Sequence, residues 1–273
     1  MDDRLKSQTI RHLQHLSVIN KLDVVFKNNN IQYFILKGLN LAYVYWSDPY
    51  TRPLGDIDIF VHKEDKNRAI LLLKSAYNNM EIGEEFFKNK PLYRYNEKLV
   101  LDGVTIELHW DLSPYCKYQI NISSFFNNIQ YFSIAGNDYP GLNPTYLLLA
   151  LTIHAGKSYF WDLTEKQYTD LLLVLTKGKI NFDLFYLELK STGSINTAKI
   201  IFYLLKERKN FLLPTGILPD ISQSKKFLLK KFLSKKTCKL SILSSFKRLL
   251  LWLLLVDNKS QIFRSIKLYL HSM

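Results

Sequence analysis

The chain has almost no cysteine: Cys116 and Cys238 are its only two in 273 residues, and they lie far apart. So few thiols exclude a disulfide framework, and without histidines at ligand spacing they do not form a zinc site. A reducing cytoplasm is the expected setting. Continuous apolar sequence is also scarce. Met1-Asp2-Asp3-Arg4 leads into a mixed polar and apolar stretch that lacks the core of a secretory signal. The longest fully apolar run, Leu249 to Val256, is shorter than the roughly 18 residues of a membrane-spanning helix. It is expected to form a buried or interfacial helix. The glycines fall into no Walker-type or dinucleotide-binding fingerprint, and no repeat of fixed period is present.

Acidic residues are the minority, 24 against 37 Lys and Arg, for a net charge of +13. The excess is concentrated: from Ser222 onward twelve Lys and Arg stand against Asp257 alone. A basic tail of this kind has three readings, namely a solvated helical face, a nucleic-acid docking surface, or an interfacial helix on an anionic membrane with Leu249–Val256 beneath a lysine rim. Abundant Lys, Asn and Ile would also follow from an AT-rich coding bias. A hydrophobic fraction of 47% with 22% charged residues excludes a disordered chain, and the length allows two packed parts.

Apolar residues Ile10, Leu13, Leu16, Ile19, Leu22 and Val25 recur at helical spacing until Asn28-Asn29-Asn30 stops them. Ile31 to Leu36 reads as a strand, Gly38 as a turn, Leu39 to Trp46 as a helix, Asp56 to Val61 as a strand and Glu64 to Ala76 as a helix. Asp102-Gly103 between two β-rich triplets signals a hairpin. A strand at Ile129 to Ile134 runs into the turn-rich stretch Gly136 to Pro144, where a boundary is expected. Beyond it every segment is helical. The expected fold class is therefore α+β, with residues 1–143 forming a sheet domain and 144–273 an all-α domain that ends in the basic tail.

The segment Arg52-Pro53-Leu54-Gly55-Asp56-Ile57-Asp58-Ile59 carries the most chemistry. Strand alternation puts Asp56 and Asp58 on one face and Ile57 and Ile59 on the other, so the apolar face can pack while the acidic face stays open. Two carboxylates about 7 Å apart along a strand repel each other and are costly near a core unless a cation neutralises them. Val104 to Trp110 repeats the pattern: Thr105, Glu107 and His109 share one face, and Val104, Ile106 and Leu108 the other. Asp56, Asp58 and Glu107 are thus candidate ligands for a pair of divalent ions of the kind that drives in-line displacement at phosphorus. Gly38 would let the backbone approach a phosphate, with Lys37 adding a charge there, or it is an ordinary strand-to-helix turn and Lys37 a solvent-exposed lysine. Arg52 suits a bidentate phosphate contact and could equally pair with Asp56. His109 could orient Glu107 or touch substrate, whereas Trp110 is expected in the core, as are Tyr159 and Trp161.

Together these residues resemble the nucleotidyltransferase superfamily that includes DNA polymerase β. More narrowly, the chain is similar to a bacterial family of uncharacterised nucleotidyltransferases. The shared pattern is Ile35-Leu36-Lys37-Gly38, then Arg52-x-x-x-Asp56-x-Asp58, then Glu107-Leu108-His109-Trp110, then His154 with Asp170, over roughly residues 30 to 215. The chain departs from the superfamily in having Lys37-Gly38-Leu39 where Gly-Ser or Gly-Gly is usual, and in the spacing of 18 positions from Gly38 to Asp56.

The resemblance implies a nucleotidyltransferase-like mixed sheet flanked by helices. It also implies two Mg2+ ions, with Mn2+ as the alternative, and transfer of a nucleoside monophosphate from a triphosphate such as ATP to an acceptor hydroxyl. It brings His154, Lys157 and Asp170 toward the site, Lys157 as a nucleotide contact. The acceptor class stays open among small molecule, peptide and RNA. The rival readings are a module that binds nucleotide or nucleic acid without catalysis, and a toxin-like transferase acting on tRNA or protein.

Overall fold

In the computed structural model the described residues are 3–83, 95–113, 118–157, 163–211, 217–218, 220–233, 257 and 263. The opening apolar spacing forms helix α1 (Asp3–Asn28), followed by β1 (Tyr33–Ile35), α2 (Leu39–Tyr45), a 3-10 turn (Pro49–Thr51), β2 (Ile57–Val61), α3 (Lys66–Ala76) and β3 (Glu81–Ile82). The expected hairpin is β4 (Asn96–Leu101) and β5 (Val104–His109), joined by Asp102 and Gly103 at φ 50° and 74°. Two left-handed residues give a turn whose twist matches its strands. After α4 (Ile122–Phe126), β6 (Ile129–Ile134) and β7 (Asn137–Leu142) come helices α5 (Pro144–Lys157), α6 (Glu165–Lys177), α7 (Phe182–Thr192), α8 (Ile195–Lys209) and α9 (Gln223–Leu233). No helix among the described residues is long and apolar enough to cross a membrane; Leu249 to Val256 lies outside the described residues.

The fold is α+β. Its main sheet has the order β1-β2-β5-β4-β3 and is mixed, because β2 runs parallel to β5 while the other pairings are antiparallel. That parallel pair sets Asp58 directly opposite Glu107. Alternation then assigns the two faces. Ile57, Ile59 and Val61 of β2 join Val104, Ile106 and Leu108 of β5 in a core built against α1 and α3 through Ile19, Leu22, Ala69 and Leu73.

The opposite face is not open, as the alternation of β2 alone suggested. Phe34 and Phe60 share it with Asp58, stack at 5.0 Å between ring centroids, and belong to a second core that runs through α2, α4 and the helical half. Each ring is fully buried, which contributes roughly 1.5–3 kcal/mol, and the helices that bury them also enclose Asp58. The second core crosses residues 143 and 144, so the sheet and the helices that follow it share apolar packing.

The stretch after Ile134, read from its Gly, Asn, Asp and Pro content as turn-rich, is largely strand. Ala135 and Gly136, both at positive φ, close a tight hairpin, and β7 pairs with β6 from Asn137 to Leu142. Pro140 and Gly141 disguise that strand in the sequence. Burial of Tyr139, Pro140, Gly141 and Leu142 outweighs their low strand propensity.

The loop before β2 is fastened from behind by α1. Arg11 Nη1 donates to Leu54 O at 3.1 Å, His12 Nε2 to Arg52 O at 3.0 Å and His15 Nε2 to Gly55 O at 3.1 Å. Burial lowers the pKa of both histidines from 6.5, against the carbonyl contacts that raise it. A lowered folded-state pKa means that the unfolded chain takes up protons first. The contribution of these groups to stability is therefore complete above pH 6.5 and lost as the pH falls toward the folded values. Denaturant titrations at pH 7.5 and 5.5 should show a loss of stability on acidification that is smaller in a His12→Gln/His15→Gln variant. An equal loss in both proteins would contradict this role.

Candidate metal and nucleotide site

The site lies where β2 and β5 run parallel. Asp58 is 1% exposed. Its Oδ1 receives Lys37 Nζ at 3.1 Å and His109 Nε2 at 3.1 Å, while Oδ2 is buried with no partner among the described residues. Glu107 Oε2 lies 3.3 Å from the same His109 nitrogen and accepts from Asn96 Nδ2 at 3.1 Å. One ligand atom each from Asp58, Glu107 and His109 falls within 4.8 Å of the others. Asp56 stands half-buried at the entry to β2, close enough for its charge to act on Lys37.

The electrostatics follow from crowding three carboxylates around one ammonium. Burial opposes ionisation of Asp58, but Lys37 and His109 overcome it and hold the carboxyl well below its ordinary range. Burial and the charge of Asp58 push Asp56 upward. The hydrogen bond from His109 lowers Glu107 against the effect of burial. Lys37 is partly desolvated, which alone would lower its pKa, yet Asp58, Asp56 and Glu107 raise it. One ammonium does not balance three acids, and Asp58 Oδ2 is left without a hydrogen-bond partner among the described residues. The donor set, two carboxylates in register with a third at the strand entry, fits hard divalent cations.

Surrounding residues fix these groups. His109 lies nearly parallel to Phe60 at 5.9 Å and to Tyr95 at 6.0 Å, so its ring is held on edge toward the acids. Gly38 opens α2 at φ 66°, a conformation that a residue with a Cβ adopts only under strain. An added Cβ would meet Asp56 O at an ordinary 3.6 Å, so the constraint is conformational, not spatial. Trp110 is buried, as expected, with Lys66 Nζ 4.4 Å from its ring centroid.

A cleft adjoins the acids between the sheet and helices α5 and α6. Lys37, Arg52, His154, Lys166, Gln167 and Asp170 supply its polar lining, and Leu41, Leu151 and Leu163 part of its apolar wall. Arg52, expected on a phosphate or on Asp56, instead forms a bidentate pair with Asp170, Nε at 2.9 Å and Nη2 at 2.8 Å. Trp46 Nε1 donates to the same carboxylate at 2.9 Å. Arg52 and Asp170 are both almost wholly buried. His154 faces the cleft and adds positive influence on Asp58. Lys157 closes α5, but its side chain, like Tyr159 and Trp161, lies outside the described residues.

Three site residues escaped the sequence reading. Lys166 lines the cleft, its pKa lowered by burial and by Arg52, and nothing but its place in the first turn of α6 marks it. Asn96 was readable: counting back from the Asp102-Gly103 turn pairs it with His109. Tyr95 follows by one residue.

The in-register acids of the parallel strand pair thus lie beside a cleft lined by Lys37 and Lys166. The chain belongs to the family of uncharacterised nucleotidyltransferases, whose family model matches residues 1–209. No curated protein matches it. Among solved structures it resembles the solution structure of the antibiotic-resistance factor ANT(2'')-Ia, at 12% identity and a TM-score of 0.44 over 72% of this chain and 94% of that one. The crystal structure of ANT(2'')-Ia in complex with adenylyl-2''-tobramycin is similar at 14% identity and a TM-score of 0.42, over 60% of this chain and 89% of that one. An antigenic nucleotidyltransferase-like protein from Paracoccidioides brasiliensis gives 18% identity and 0.41, over 77% and 90%. Likeness at this level concerns the fold alone.

The buried pair makes a direct prediction. Asp170→Ala should leave the Arg52 guanidinium and the Trp46 indole N–H unpartnered and cost about 3–5 kcal/mol in denaturant-induced unfolding. A variant of wild-type stability would mean that Arg52 has another partner in solution.

Proposed function

We propose that this nucleotidyltransferase moves a nucleoside monophosphate from a nucleoside triphosphate, ATP in the first instance, to an acceptor hydroxyl and releases pyrophosphate. In this reading Asp56, Asp58 and Glu107 hold divalent metal, two Mg2+ ions or Mn2+. The observation that carries it is the buried Asp58 carboxylate, which stays charged beside Glu107 with one oxygen unpartnered. Bound metal would lower the pKa of the acceptor hydroxyl and offset charge building on the α-phosphate.

The other roles belong to the chain's own groups. Lys37 supplies the positive charge that Asp58 needs in the absence of an ion, and that ammonium also lines the cleft where a triphosphate would lie. Lys166 adds a second cation to the same lining. Gly38 adopts the positive φ of the turn into α2 without the strain that a side chain would bring. Arg52 serves by position: its backbone is tied to α1 and its side chain to α6, so the loop that delivers Asp56 is held from both sides. We place the reaction in the cytoplasm and leave the acceptor as a small molecule, peptide or RNA.

The test uses the full chain with each nucleoside triphosphate labelled in parallel at the α or at the γ phosphate, Mg2+ and separate small-molecule, protein and RNA fractions. Label should pass from the α position and not from the γ position. Asp58→Asn, similar in volume but a weaker metal ligand, should keep the folded spectrum and lose several kcal/mol of transition-state stabilisation, about a hundredfold or more in rate. Transfer of γ-label, or full activity in Asp58→Asn, would contradict the assignment.

A further inference from the structure

His109 is more than a neighbour of the acids. Its Nε2 sits 3.1 Å from Asp58 Oδ1 and 3.3 Å from Glu107 Oε2, and among the described residues these three side chains are the group whose ligand atoms could meet on one ion. Asp56 is outside that group. The imidazole is 2% exposed and held between Phe60 and Tyr95, so reorienting it would mean repacking two aromatic contacts. A ring fixed in that way, with its nitrogen aimed between two carboxylates, is arranged as a ligand is arranged.

We infer that His109 Nε2, which donates to Asp58 in the metal-free chain, gives up that contact and becomes a direct metal ligand. The neutral ring then carries its proton on the buried Nδ1, so that the ion between Asp58 and Glu107 sees two oxygens and one nitrogen and the site selects Mn2+ over Mg2+. Mg2+ keeps oxygen ligands and water by preference. Imidazole nitrogen favours later divalent ions, while the two carboxylates keep the site hospitable to Mn2+. The inference rests on the proposed metal site but not on the reaction ascribed to it. The competing role for His109 is a hydrogen-bond donor that only orients the acids, which would leave ion preference unchanged.

The experiment is binding and spectroscopy on the full chain with Mn2+ or Mg2+ alone. Electron spin-echo modulation of the Mn2+ complex should show coupling to a directly bound 14N nucleus, and calorimetry should show tighter binding of Mn2+ than of Mg2+. His109→Gln offers an amide in place of the ring. It should remove the nitrogen coupling and weaken Mn2+ binding more than Mg2+ binding, so that the Mn2+ to Mg2+ affinity ratio falls. Absence of 14N coupling in the wild-type complex, a reading that needs no variant to fold, would overturn the inference. So would an unchanged Mn2+ to Mg2+ ratio in His109→Gln. A chain that shows the coupling but transfers no nucleotide would sink the transferase reading and leave this assignment standing. Active transfer without the coupling would do the reverse.

Discussion

The structure is organised around one buried charge. Asp58 is held ionised in a place where burial penalises ionisation, because Lys37 and His109, with a smaller contribution from His154, offset that penalty. A buried carboxylate is costly without partners, so the packing that brings Lys37 and the His109 ring to Asp58 offsets both its burial and its repulsion with Glu107. The parallel β2–β5 pairing is the device that does this. It aligns Asp58 with Glu107 and Phe60 with His109 in one register. Its other face supplies Ile57, Ile59, Ile106 and Leu108 to the core against α1 and α3.

Rigidity around that charge comes from contacts at long sequence separation. α1 grips three carbonyls of the loop at residues 52 to 55, and α6 grips the Arg52 side chain from the opposite side through Asp170. The helical half is therefore a wall of the site as well as a covering for Phe34 and Phe60. α6 carries both Lys166 of the cleft lining and Asp170, the anchor of the loop that leads to Asp56.

Much of this was legible in the sequence where a local rule dominates. Strand alternation placed Asp58, Glu107 and His109 on one face, and the Asp102-Gly103 turn fixed the β4–β5 register. Lys37 and Gly38 were drawn to the acids by the expected strand-to-helix turn. The failures have physical causes. Pro140 and Gly141 hid β7 because their strand character comes from burial and pairing, which no propensity records. Arg52 carries the same guanidinium whether it meets phosphate or carboxylate, and its partner Asp170 lies 118 residues away. The openness of the acidic face was misjudged because Phe60, two residues beyond Asp58, already belonged to a second core.

The most direct measurement of the central claim is anomalous diffraction from crystals of the full chain grown with Mn2+. The account predicts a peak about 2.0–2.3 Å from carboxylate oxygens of both Asp58 and Glu107, with Lys37 Nζ withdrawn from Asp58 Oδ1. A map without a peak there, with Lys37 still paired to Asp58 at saturating Mn2+, would contradict it.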